Sequence, residues 1–308
     1  MHHIDFFCSI FFFVLTCNLP LVFLSVFLFY SALCLCPYPS TMPSNTRAHR
    51  TPSTSFESPS RSELFRNDKS KEVFKKLNCK RKIWAKRSIV LDKGDPAIRV
   101  NFESRGWLSL LEVYHPPPTA LIREFFSNLS CHIYDSNSPV RSWIRGVEFT
   151  ITPKIVAEAL GVLVVRQPVY PYEESPSLDD VISYIIGSSI QWSSDPWITS
   201  AELTETTYLF FRIACHSLWP ISDLHIISLE RCVFLYAFVS GAFISFPHLF
   251  LRSLNEVHRS SAVAHALIHP IFIHRILLFL GLVDFFTGEP VHVIAPISAT
   301  SLGRGLLT

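Results

Sequence analysis

The chain has 308 residues, of which 49% are hydrophobic and 17% charged, and its formal net charge is +2 at pH 7. This apolar fraction excludes disorder throughout, and the small net charge excludes a global field that would direct the chain to nucleic acid or an anionic membrane. Glycine is scarce (10 residues) and phenylalanine abundant (26 residues), which favours packed helices over a many-stranded barrel. We therefore expect a mainly α fold class: a multi-helix globular domain with one small β-strand or hairpin insertion, preceded by an apolar N-terminal helix and a disordered linker.

Residues 1–41 form an apolar N-terminal segment. The stretch from Phe6 to Cys36 has no charged residue in 31 positions, and about 20 apolar residues are enough to span a bilayer as a helix. Three interpretations stay open: a transmembrane anchor, a cleaved secretory signal, or a mis-extended start with translation beginning at Met42. We expect a membrane location if translation starts at Met1 and a nuclear or cytoplasmic one if it starts at Met42.

A basic segment follows a Ser/Pro/Arg-rich stretch, residues 42–62, that is predicted to be a disordered linker. Eight of the nine lysines lie between Lys69 and Lys93. Such clusters attract polyanions and nuclear-import receptors, although the solvated face of a helix with an apolar stripe gives the same pattern. The candidate basic or nuclear-import cluster consists of Lys75, Lys76, Lys80, Arg81, Lys82, Lys86 and Arg87.

The folded body is predicted over residues 63–285, with a C-terminal tail at 286–308. Its first clear helix follows "HPPPT", with Thr119 as a candidate N-cap. The residues from Val147 to Ile151 alternate as a half-buried strand does. Thr152 and Pro153 then supply an N-cap and a favoured first helical position, and Gly161 ends that helix.

The second half of the body is predicted to be helical. Residues 167–200 are expected to form a surface excursion around a brief helix near Leu178 to Ile186. A long helix is predicted from about Glu202 to Pro220, another from about Ser228, and a last one in "IFIHRILLFLGL". We interpret the apolar run from Cys232 to Phe246 as one buried central helix rather than a membrane span.

Five stretches, in this order, carry a family resemblance: "FKKLNCKRKIWAKRSIVL", "GWLSLLEVYHPPPTALIREFFSNL", "RGVEFTITPKIVAEALGV", "SLWPISDLHIISLERCVFLYAFVSG" and "ALIHPIFIHRILLFLGL". Together they resemble the putative plant transposon protein domain. The resemblance implies a largely helical domain of transposable-element origin without an established activity. The partners are unknown from the sequence; nucleic acid and other proteins encoded by the element are the candidates, with the membrane added if the segment from Phe6 to Cys36 is retained.

The sequence nominates no catalytic, cofactor-binding or metal-binding residue, so we expect a protein that is not an enzyme and needs no cofactor. Adjacent Cys215 and His216 point about 100° apart on a helix and cannot activate one another. His265 and His269 have i, i+4 spacing, but they lack the adjacent glutamate of a zinc-protease helix. No acidic residue follows a convincing buried strand, as a two-metal nuclease would need.

Overall fold

The computed structural model describes residues 64–85, 87, 89–90, 96–112, 115–131, 138–165, 168–172, 174–189, 197–221, 223–283, 289–292 and 297–298. The apolar segment Phe6 to Cys36, the predicted linker 42–62 and Lys86 lie outside these residues. The described part contains nine α-helices, which confirms the mainly α prediction. They are α1 Asp68–Val73, α2 Pro96–Ser104, α3 Thr119–Ser127, α4 Pro153–Leu160, α5 Leu178–Ile186, α6 Glu205–Ile213, α7 Leu229–Val239, α8 Phe246–Arg259 and α9 Pro270–Phe279.

Two of these helices widen into a π-helical turn before they end. The first turn, Phe74–Asn78, continues α1, and the second, Ala214–Leu218, continues α6. The predicted long helix from about Glu202 therefore begins at Glu205, capped by Thr204, and reaches Leu218 only through this wider turn.

Short strands pair in three places, where the sequence predicted one strand or hairpin. The predicted strand is β3 Val147–Ile151, which pairs antiparallel with β2 Val140–Ile144. The other pairs are β4 Trp197–Thr199 with β5 Ile226–Ser228, antiparallel, and β1 Ile89–Val90 with β6 Ile297–Ser298, parallel. Two or three residues are too few to show an alternating pattern, which is why the sequence did not reveal these last two pairs.

Local signals fixed the start and end of α4 but not the start of α3. The Thr152 side chain accepts a hydrogen bond from the Ile155 N–H, and Gly161 ends α4 in the left-handed conformation, as predicted. Thr119, however, is the first helical residue of α3 rather than its cap. Its N–H donates to the Glu289 carbonyl at 2.9 Å, so a distant segment satisfies one of the N–H groups that lack an intrahelical partner at the start of a helix.

The apolar run expected to form one central helix is divided in two. Its helical parts are largely buried, as predicted, with Phe238 fully inaccessible to solvent, but Phe243 between them is 57% exposed. Helix α7 nevertheless ends at Val239, Gly241 adopts a φ of 84°, and α8 starts at Phe246. Within the described residues, no helix has the length and apolarity needed to cross a bilayer.

Helix α5 has the predicted bounds, but it does not lie on a surface excursion. Val181, Ile182 and Ile185 are at most 1% exposed, and α5 packs against α7. The expectation for residues 167–200 is therefore wrong at this helix. Serine, proline and acidic residues around α5 suggested exposure, although its apolar stripe belongs to the core.

Aromatic rings at the centre of the core connect α2, α7, α8 and α9. Phe102 and Phe238 make an edge contact at 5.6 Å, and Phe246 and Phe272 make another. Trp107 contacts both Phe238 and Phe246 at 5.9 Å. Edge-to-face packing of this kind adds to the stability gained from burial, and it holds α7 and α8 in place for the site below.

Candidate nucleic-acid interface

The lysines of the basic segment are exposed on a helical support that is itself packed. Phe74 and Leu77 are half-buried, and the Asn78 side chain, 1% exposed, donates to Ser127 Oγ at 3.1 Å. Helix α1 and its π turn pack against α3. The structure exposes Lys75, Lys76, Lys80 and Lys82, leaves Arg87 half-buried, and does not describe Lys86.

Arg81 differs from the other members of the cluster because its side chain is only 2% exposed. Its Nε donates to the Ala262 carbonyl at 3.2 Å, its Nη1 to the Val257 carbonyl at 3.2 Å, and its Nη2 to the Ser260 carbonyl. These carbonyls lie at and beyond the C-terminal end of α8, where helical carbonyls lack intrahelical partners and a cation is favoured. Arg81 therefore caps α8, and burial lowers the pKa of its guanidinium.

Few carboxylates neutralise the exposed lysines. Lys76 forms an ion pair with Glu72 one helical turn earlier. For Lys75, Lys80 and Lys82 the described part of the chain contains no ion-pair partner.

Further cations lie where α1 approaches the end of α8. The pKa of His258 is lowered by partial burial and by the positive charges of Lys69, Arg259 and Arg81. The positive potential is therefore not confined to the residues of the predicted cluster.

The end of the basic segment, from Lys82 to Trp84, is fixed to the loop that precedes α9. The Leu267 N–H donates to the Lys82 carbonyl, and the Trp84 N–H donates to the Leu267 carbonyl, both at 2.8 Å. Ile83 and Leu267 form a parallel bridge between these two bonds. Lys80 and Lys82 are thus held next to the loop rather than carried on a free arm.

A cavity of about 200 Å³ lies beside this junction. Trp219 lines the cavity, and its ring lies 4.4 Å from the Arg231 guanidinium carbon and 5.4 Å from that of Arg252. The Trp219 Nε1–H donates to Glu256 at 3.2 Å, and Arg231 Nη1 donates to the Trp219 carbonyl at 3.1 Å. The cavity is lined by Trp84, Trp219, Pro220, Ile221, Arg231, Ser253, Glu256, Val257, Ala264, His265, Ala266 and Ile268.

The sequence did not point to Arg231 or Glu256, because nothing in the pattern connects two residues 25 positions apart on different helices. Trp219 lies directly before Pro220, where the sequence predicts only the end of a helix. The signals that would have found the cavity are the tryptophans that flank it, Trp84 after the lysines and Trp219 before Pro220.

The reactive residues around Cys215 have structural environments. Cys215 is 2% exposed, and burial raises the pKa of its thiol to about 12. Burial, followed by the charges of Arg212 and Arg87, lowers the pKa of His216 to about 4. Asp223 accepts the N–H groups of His225 and Ile226 at 2.8 and 3.3 Å, so it stabilises the turn that leads into β5.

The late histidines are also dispersed. His265 is exposed in the loop before α9, whereas His269 is buried and its Nε2 lies 3.0 Å from Ser253 Oγ. His274 is buried as well. The described residues contain no group of three or more His, Cys, Asp or Glu side chains arranged to hold a metal ion.

A family model described as the putative plant retrotransposon-related domain matches residues 103–281, more than half of the chain. The chain belongs to this family. The resemblance found in the order of the sequence motifs is thereby confirmed, as is an origin related to transposable elements. No curated protein and no solved structure matches the chain.

The retrotransposon-related domain includes most of the cavity but not the basic segment. Trp219, Arg231 and Glu256 lie within the matched residues, whereas the segment from Lys75 to Trp84 precedes them. That segment nevertheless packs on α3 and caps α8, so the fold of this member begins before the first matched residue.

Proposed function

We propose that this retrotransposon-related protein is a non-catalytic module that binds nucleic acid through the basic segment. The observation that carries the proposal is the exposure of Lys75, Lys80 and Lys82 without an ion-pair partner among the described residues. Unneutralised lysines on a rigid support attract phosphate groups and release their counterions on binding. The overall charge of +2 makes this a local effect of the basic segment.

Two structural features support a binding role over catalysis. The candidate nucleophile Cys215 is enclosed in the core, and the raised pKa of its thiol disfavours the reactive thiolate. Asp223 is committed to backbone N–H groups of its own turn. By contrast, Lys75, Lys80 and Lys82 are exposed and have no ion-pair partner among the described residues.

The test is the salt dependence of nucleic-acid binding by the full-length chain. Replacing Lys75, Lys80 and Lys82 together by glutamine removes three exposed charges and no core contact. If each contacts one phosphate, the slope of log affinity against log salt becomes less steep by about 2 to 3, since each phosphate contributes roughly 0.7 to 0.9. Fluorescence anisotropy with a labelled oligonucleotide at several salt concentrations measures this slope.

A matched control removes the same charge elsewhere on the molecule. Arg99, Arg141 and Lys154 are exposed cations on α2, β2 and α4, and their replacement by glutamine should leave the slope unchanged. Equal losses in both triple variants would mean that only net charge matters. An unaltered slope in the basic-segment variant would refute the proposal.

A further inference from the structure

The cavity next to the basic segment is close enough to receive part of a ligand bound by the lysines. Trp84 lines the cavity and is two residues after the exposed Lys82. Two residues span at most about 7 Å, because an extended chain covers roughly 3.6 Å per residue. A polymer whose phosphates contact Lys80 and Lys82 is therefore within reach of the cavity lining.

The lining combines aromatic surface with hydrogen-bond donors and acceptors. Trp84, which is half-buried, supplies the accessible aromatic surface, whereas Trp219 is only 3% exposed and its ring is covered by the Arg231 guanidinium. Arg231 has five N–H donors, and the bond of its Nη1 to the Trp219 carbonyl occupies one of them. Glu256 supplies carboxylate oxygens that accept from Trp219 Nε1 and Arg252 Nε, and each oxygen has a second lone pair.

This lining discriminates between chemical classes of ligand. A purely apolar group inside the cavity would leave Arg231 and Glu256 desolvated without new partners, whereas a phosphate would accept from Arg231 but offer no donor to Glu256, whose charge Arg252 already pairs. A flat, neutral ring with donors and acceptors on its edge can bond to both side chains and present one face to Trp84. Nucleobases have these properties, and they stack readily on aromatic and arginine side chains.

We infer that the cavity receives one unstacked nucleobase of a single-stranded nucleic acid whose backbone lies across Lys80 and Lys82. The inference rests on the proposed function of the basic segment and specifies its partner. A base in a duplex is paired and stacked, so entry would require the duplex to open first. Single strands are therefore the preferred ligand, and base stacking adds to the phosphate contacts.

The experiment blocks the cavity without removing a core contact. Ala264 is exposed and lines the cavity, so Ala264→Phe places a ring in its opening. Ser261 is exposed in the same loop but does not line the cavity, so Ser261→Phe is the matched control. Each full-length variant is titrated with a mixed-sequence single strand, as DNA and as RNA, and with strands of equal length that have abasic residues.

The unaltered chain should bind the base-bearing strand at least about fivefold more tightly than the abasic strand, which corresponds to the lower end of the stacking energy for one base. Ala264→Phe should abolish this difference and retain the salt-dependent binding of the abasic strand. Ser261→Phe should behave as the unaltered chain.

Three results would overturn the inference, and they are distinguishable from one another. Equal affinity for base-bearing and abasic strands, with salt dependence intact, would exclude a base in the cavity but leave the proposed function standing. A nucleoside monophosphate that binds as tightly as the strand would assign the cavity to free nucleotides instead. Absence of salt-dependent binding to every strand would refute the proposed function itself.

Discussion

Replacing Arg81 should destabilise the fold, although its neighbours Lys80 and Lys82 are dispensable for stability. In Arg81→Met the side chain keeps much of its length but donates no hydrogen bond, so the carbonyls of Val257, Ser260 and Ala262 lose their partner. A hydrogen bond to a charged group contributes roughly 1.5 to 3 kcal/mol. Because the buried guanidinium also carries a desolvation cost, we expect a net loss of about 3 kcal/mol.

Thermal unfolding followed by tryptophan fluorescence or circular dichroism measures the effect. For a domain of 150 to 250 residues, each kcal/mol shifts Tm by about 2 to 4 °C, so Arg81→Met should lower Tm by roughly 6 to 12 °C. Lys80→Met and Lys82→Met change exposed side chains and should stay within about 0.5 kcal/mol of the unaltered chain. The Tm of Arg81→Lys should lie between those of Arg81→Met and the unaltered chain, since lysine keeps the charge but not the planar set of guanidinium donors.

The result that would refute this reasoning is a Tm for Arg81→Met equal to that of Lys80→Met. It would mean that Arg81 contributes no more to the fold than an exposed lysine. The triple variant of the basic segment leaves Arg81 in place because its replacement should destabilise the protein. A loss of binding by an unfolded protein would say nothing about phosphate contacts.

Three other predictions concern the described core and its turns. Burial raises the pKa of Glu124 to about 7, although the Arg145 N–H that donates to it at 2.8 Å acts in the opposite direction. The folded state holds this proton more tightly than the unfolded state, so the contribution of Glu124 to stability should fall by about 3 kcal/mol as the pH rises from 4.5 to 7. Burial lowers the pKa of His216 to about 4, so the folded state binds this proton less readily and the contribution of His216 should fall by about 3 kcal/mol as the pH drops from 6.5 to 4. The two contributions oppose each other where the windows overlap, so each is measured as the difference in stability between a variant and the unaltered chain, in urea titrations at several pH values: Glu124→Gln should remove the first contribution and His216→Phe the second. Gly187 has a φ of 78°, and an added Cβ would lie 2.7 Å from Thr204 Cγ2, whereas a Cβ on Gly146, which has a φ of 87°, would have nothing within 4 Å. Gly146→Ala should therefore lose only the roughly 1 to 2 kcal/mol of unfolding free energy that backbone strain costs, and Gly187→Ala should lose more. Equal losses of unfolding free energy by chemical denaturation would contradict the steric argument.

Much of the helical architecture was predictable because its signals are local. Thr152, Pro153 and Gly161 bound α4 through contacts within a few residues, and α5 has the predicted bounds. The β2–β3 hairpin was recognisable from its alternation at Val147 to Ile151. In each case the residues that determine the element lie inside it or next to it.

The predictions that required correction involve partners distant in sequence. Thr119 does not cap α3, because the helix starts one residue earlier than predicted, with Pro118 at the N-cap position, and the Thr119 N–H donates to the distant carbonyl of Glu289. The run from Cys232 to Phe246 is largely buried in its helical parts, but the turn at Gly241 exposes Phe243 and divides the run, so that α7 and α8 pack against different neighbours. The candidate site shows the same division: lysine composition located the basic segment, but no pattern indicated the cavity beside it.

The sequence by itself determined the helical class, several helix ends and the position of the positive charge, since composition, periodicity and capping act over a few residues. Only the tertiary structure decided which cations serve the fold. Arg81 binds carbonyls at the end of α8, Arg105 those of Phe238 and Ala242 after α7, and Arg275 that of Leu160 at the end of α4. These arginines are more than 100 positions from their acceptors, and helix ends offer unpaired carbonyls only once the chain has folded. The same physical reason hides the cavity, which exists only where Trp84, Trp219, Arg231 and Glu256 are brought together by packing.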